Sequence, residues 1–139
     1  MTIARVLMIL SAGVVLLLGT LHLAYTFSGS KLWPREPDVM VSMQRTPLRI
    51  TNETTVWRAW IGFNASHSMA AMLFGLVFAY LAFAHPEVLF RSVFLLTVGF
   101  ATVGGLVVLA KLYWFSVPFA GVSIALLCYV SSIVASRLR

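Results

Sequence analysis

The sequence predicts an all-α integral membrane protein, a four-helix up-down-up-down bundle with one long first loop. Of its 139 residues 60% are hydrophobic and 10% charged, and the mean hydropathy is +0.96, too apolar to clothe a water-soluble surface. Four apolar runs, at about 3–27, 56–84, 88–110 and 115–135, each approach or exceed the roughly 20 residues with which an α-helix crosses a ~30 Å hydrocarbon layer. Short connections join the last three runs, which makes consecutive helices antiparallel neighbours.

The first run, 3–27, is longer than the ~7 to 15 apolar residues of a signal-peptide core, so a retained transmembrane helix is expected there. The loop 28–55 holds three of the five prolines, Pro34, Pro37 and Pro47. In it Trp33, Val39, Met40, Met43 and Leu48 alternate with charged neighbours, as in a segment lying on the bilayer surface or folded back over the bundle. A connection of that length is often a lid or binding loop, and an interfacial connector without chemistry is the plainer reading.

His85-Pro86-Glu87 ends the second run, because proline removes a backbone donor and disfavours helix in the residue before it. Small residues in the third run, Thr97, Ala101, Gly104, Gly105 and Val108, and in the second, Gly62, Ala71 and Gly75, are expected where helices approach closely. The cluster from Lys111 to Pro118 combines a basic residue, interfacial aromatics and a proline, and so reads as an aromatic belt with a turn before the last run. Cys128, the single cysteine, lies within that last run as a small packing residue.

A net charge of +6 and a pI near 10.3 come from basic residues scattered singly at helix ends and in one loop. Anionic lipid headgroups suit that pattern better than nucleic acid. Four spans put Arg5, Arg91, Arg137 and Arg139 on one side, and Lys31, Arg35, Arg45, Arg49, Arg58 and Lys111 on the other. By raw count of basic residues the 28–55 loop is the cytoplasmic one.

The candidate site is the stretch Trp57-Arg58-Ala59-Trp60-Ile61-Gly62-Phe63-Asn64-Ala65-Ser66-His67-Ser68 at the start of the second span. On a 3.6-residue helix Trp57, Trp60, Asn64, His67, Ser68, Ala71 and Gly75 share a face, and polar groups inside a membrane mark function more often than chance. Imidazole titrates near neutrality, which makes His67 the principal acid or base, with Asn64 and Ser68 orienting it. His22, with Tyr25 on the same face of the first helix, is the second donor. Counted from the loop-side helix ends at ~1.5 Å per residue, His22 lies about 8 Å deep and His67 about 15 Å, so the two need not touch and could flank a ligand. Trp57, Trp60 and Phe63 would wall the pocket, and Arg58 at its mouth would hold an anionic group or snorkel to headgroups. Asn64 and His67 are expected to face one shared hollow.

No carboxylate lies inside any span, so no metal site and no cofactor are expected; bis-histidine haem would need His22 and His67 at matching depth. Nucleotide loops, Cys-x-x-Cys and hydrolase triads are absent from the sequence.

That stretch, after a proline-bearing loop and a first helix ending His22-Leu23-Ala24-Tyr25-Thr26-Phe27, resembles small bacterial four-span membrane proteins. The resemblance implies the architecture and a bacterial inner (cytoplasmic) membrane, and attaches no activity. A weaker likeness is to the four-span eicosanoid- and glutathione-metabolising membrane proteins, which carry an arginine, an asparagine and a glutamate at close spacing there. Here Arg58 and Asn64 are six apart, no glutamate follows and His67 stands instead, so none of their residues carries over.

The expected function is that of a small membrane enzyme using histidine acid-base chemistry (isomerisation, cyclisation or epoxide opening) on a lipophilic substrate in an intramembrane pocket. The competing expectation is a non-catalytic subunit or lipid-binding scaffold. Membrane lipids, a lipophilic small molecule and either a homo-oligomer or a larger membrane complex are the expected partners.

Overall fold

The structure, a computed structural model, describes residues 2–138. Arg139, assigned above to the side of the chain termini, lies outside them. The elements are α1 (Ile3–Phe27), α2 (Pro37–Arg45), β1 (Pro47–Leu48), β2 (Thr51–Thr55), α3 (Val56–Ala84), α4 (Pro86–Arg91), α5 (Val93–Tyr113) and α6 (Ser116–Arg137). Four of them, α1, α3, α5 and α6, are long and apolar enough to cross a membrane, with best-window mean hydropathies of 1.7 to 2.4. In each of those windows little more than a quarter of the residues at most is buried inside the protein. Outward surfaces carry large apolar side chains such as Leu17, Leu73, Phe94 and Leu127, as lipid-facing helices require. The protein is an all-α integral membrane protein.

The chain forms two compact units, whose boundaries fall inside α1 and α3. One comprises the described residues of Met1–Leu18 and Ala71–Arg139. Its core joins Met8 and Ala12 of α1 to Phe78 and Ala82 of α3, Leu89 of α4, Leu96 of α5 and Tyr129 of α6. A second cluster, Val15, Val103 and Ala125, continues the packing. Buried hydroxyls bond across helices: Ser11 Oγ donates to Ala125 O at 2.7 Å, Ser132 Oγ to Ala4 O at 2.6 Å and Tyr129 OH to Leu96 O at 3.0 Å. Such bonds hold a membrane bundle together without a hydrophobic drive between helices. Arg5 donates from Nε to Ala82 O and from Nη2 to Phe83 O, satisfying carbonyls that the end of α3 leaves open.

The other unit, Gly19–Ala70, holds the end of α1, the long connection and the start of α3. Gly29, at φ +82°, turns the chain off α1 through a region that a Cβ disfavours. The connection is not an unstructured strap. Pro37 opens α2 in its first turn, and Asp38 and Arg45 lie at the ends that the helix dipole favours for them. A small antiparallel hairpin follows, with Pro47 opposite Thr55 and Leu48 opposite Thr51, and leads directly into α3.

Two expectations need correction. The third apolar run is not one helix from 88 to 110: it is α4 and α5, broken at Ser92. Ser92 is extended, with φ −84° and ψ 104°, and its Oγ accepts from Leu95 N as an N-cap. The small-residue stripe of this run does not mark its packed face either. Leu96, Gly99, Val103 and Ala110 are buried, whereas Thr97, Ala101, Gly105 and Val108 are exposed. The close approaches come at single glycines. A Cβ on Gly75 would stand 2.7 Å from Ala12 O and 2.9 Å from Leu16 N, and one on Gly99 would overlap the Tyr129 hydroxyl.

Backbone atoms on α1 cannot step aside for a side chain, so Gly75→Val is expected to destabilise the protein by about 1 to 3 kcal/mol or to block folding. Gly104→Ala, with open space around it, should fall within about 0.5 kcal/mol of the parent in the same detergent unfolding titration. Equal losses at both positions would contradict this packing.

Candidate functional site

Within Gly19–Ala70 the polar side chains of α1 and α3 meet around Asn64. The Asn64 amide nitrogen donates to Trp60 O, one turn back, at 2.8 Å. That bond fixes which end of the amide faces α1, because a carbonyl can only accept. Oδ1 is therefore turned to His22, and the His22 Nε2–H donates to it at 2.9 Å. In its neutral form His22 is thereby held in one tautomer, with the proton on Nε2 and not on Nδ1. Its backbone carbonyl accepts from Thr26 Oγ1 at 2.8 Å, and Thr26 is itself buried.

His67 lies beside this pair. Its ring meets that of His22 edge to face, with centroids 5.6 Å apart, and stacks on Phe63 at 6.3 Å with the planes 11° apart. The depth count that separated the two histidines assumed that α1 ends and α3 begins at one level. They do not: the ring contact puts His67, far into α3, level with His22 near the end of α1, so the first turns of α3 extend past the end of α1.

The connection flanks those first turns. Trp57 packs edge to face with Trp33 at 5.8 Å, and Trp60 Nε1 donates to Leu32 O at 3.2 Å. Tyr25 lies under Lys31, whose Nζ is 3.9 Å from the ring centroid. Arg58 is exposed on the first turn, where its backbone N–H donates to Thr55 Oγ1. Of the nine candidate residues, the structure brings together His22, Asn64, His67 and Phe63 around the imidazole pair. Trp57, Trp60 and Tyr25 serve the connection, Ser68 is bonded within α3, and Arg58 stands apart.

The polar stripe of α3 is divided, where a single hollow was expected. Asn64 and Ser68 are buried, and Ser68 Oγ donates to Asn64 O at 2.8 Å. His67 is half-buried, and its stacking partner Phe63 is 68% exposed, so that side of the helix looks outward. Asn64 orients His22, where the sequence assigned it to His67. Trp33 and Lys31 were not among the expected site residues; the Lys31-Leu32-Trp33-Pro34 run, an interfacial basic and aromatic pair before a proline, was the signal for them.

Edge-on contact leaves no ring-sized gap between the imidazoles for a porphyrin, so haem does not fit this pair. No group of three or more His, Cys, Asp and Glu side chains gathers as a metal-ligand set among the described residues.

Asn64→Leu removes the acceptor for the His22 Nε2–H and the donor to Trp60 O together, and should cost about 1 to 2 kcal/mol of stability in detergent. Ser68→Ala removes only a bond within its own helix and should cost less than about 0.5 kcal/mol. A parent-like Asn64→Leu protein would show that the amide does not link the two helices. In comparisons with protein-family models, with curated proteins and with solved structures, this chain matches none.

Proposed function

We propose that this integral membrane protein binds a lipophilic molecule beside the His22–His67 pair and moves a proton on it, as in isomerisation, cyclisation or epoxide opening. The observation that carries the proposal is the Asn64-oriented His22, whose fixed tautomer gives it the form of a general base with a positioning partner. His67, in ring contact with His22, is the natural partner acid, and Phe63 offers an exposed aromatic surface for an apolar body. Because Phe63 looks outward, the substrate would arrive laterally from the bilayer. The resemblance to small bacterial four-span proteins favours the cytoplasmic membrane of a bacterium as its place.

The same geometry carries a second reading. The hydroxyls of Thr26, Ser66 and Ser68 all donate to carbonyls in their own helices, so none is left poised as a nucleophile. A scaffold that seats a lipid or a neighbouring subunit on Phe63 and His67 needs nothing more.

Deuterium exchange separates the two. The protein in nanodiscs is incubated in D2O buffer with a lipid extract, and the lipophilic molecules are weighed by mass spectrometry. A proton transfer to carbon enriches one species in carbon-bound deuterium, and epoxide opening adds water to one species; both His22→Ala and His67→Ala, checked as folded, should lower that change by at least about a hundredfold. Absence of any deuterated or hydrated species, with a molecule nevertheless retained through purification, would replace the enzyme by the scaffold.

A further inference from the structure

In the unit that contains the chain termini, three arginines converge on a cleft of about 360 Å³. Arg5 comes from α1, Arg91 from the end of α4 and Arg137 from the end of α6. Three guanidinium charges stand against one carboxylate, Glu87, which leaves the cleft net positive. Arg5 is committed in part to the carbonyls of α3, while Arg91 and Arg137 are exposed and form no ion pair or hydrogen bond among the described residues. Guanidinium forks are well matched to phosphate oxygens.

A second cavity begins at the same residue. Arg137 also lines a groove of about 270 Å³ whose other walls are Val93, Leu96, Thr97 and Phe100 of α5 and Ile133 of α6. Those α5 positions fall at i, i+3, i+4 and i+7, one face of the helix, so the groove runs about 10 Å along it, away from the arginines. A cationic cleft continued by an apolar groove is complementary to an amphiphile and offers a free inorganic anion nothing along its second half.

From this juxtaposition we infer that the end of the molecule carrying Arg5, Arg91 and Arg137 binds an anionic phospholipid, its phosphate among the arginines and an acyl chain along the α5–α6 groove. The site is independent of the imidazole pair. Arg5 and Arg137 stand at the ends of membrane-spanning helices and Arg91 just before α5, where phospholipid phosphates lie. Arg5 supports the site by its hold on the end of α3, and Arg91 and Arg137 are the groups free to turn to the phosphate.

The test uses the full chain in nanodiscs of equal phosphatidylcholine and phosphatidylglycerol, extracted gently and weighed by native mass spectrometry with its retained lipids. Phosphatidylglycerol should be retained in preference to phosphatidylcholine. R91Q/R137Q should lower that preference by about fivefold for each guanidinium removed, and R35Q/R49Q, the same charge change on the long connection, should leave it intact. Thr97→Phe, which fills the groove without changing charge, should lower retention of both lipids, and inorganic phosphate should displace neither. Equal retention of the two lipids, an equal loss in R35Q/R49Q, full retention in Thr97→Phe, or displacement by inorganic phosphate would each overturn the inference.

Discussion

The amide of Asn64 is the constraint from which the rest of the site follows. A carboxamide inside a membrane-spanning helix must satisfy its donor and its acceptor without water, since an unpaired polar group in hydrocarbon costs several kcal/mol. Trp60 O takes the donor, one turn back along α3, and only then is the acceptor free to meet α1. That order of commitments fixes the tautomer of His22, and ring contact then joins His67 to it. One intrahelical bond thus sets the hydrogen bond of a histidine forty-two residues away in sequence.

The same rule operates in the other unit with simpler groups. Ser11, Ser132 and Tyr129 each turn a hydroxyl to a carbonyl on another helix, and among the described residues no buried side-chain nitrogen or oxygen lacks a partner. Close backbone approach accompanies these bonds at Gly75, where α3 leaves no room for a side chain against α1. Polar bonding and steric fit, and not water-driven burial, hold helices whose outer surfaces are as apolar as their contacts.

Much of this architecture was legible in the chain. Apolar length located α1 and α3, and His85-Pro86 and the Trp114–Phe115 neighbourhood marked two of the breaks. The break at Ser92 was not, because Arg91-Ser92-Val93 carries neither proline nor glycine, and a serine N-cap inside an apolar run looks like any helical serine. The small-residue stripe misled for a related reason: Gly104 and Gly105 permit close approach, but which face is approached depends on the neighbours of α5, and those chose Gly99. At the site, spacing put Asn64 and His67 on one face, which the structure divides; it could not show that Asn64 would bond to His22, because the register between α1 and α3 depends on how far α3 extends past the end of α1. Leu32, which contributes only a carbonyl, has no signature in sequence at all.

The most direct test of this account is nitrogen-15 solid-state NMR of the histidine-labelled protein in lipid bilayers, with a through-space correlation to the asparagine side-chain amide. His22 is expected to carry a proton on Nε2, correlated with Asn64, and to be in ring contact with His67. A His22 ring protonated at Nδ1 alone, or one with no correlation to Asn64, would contradict it.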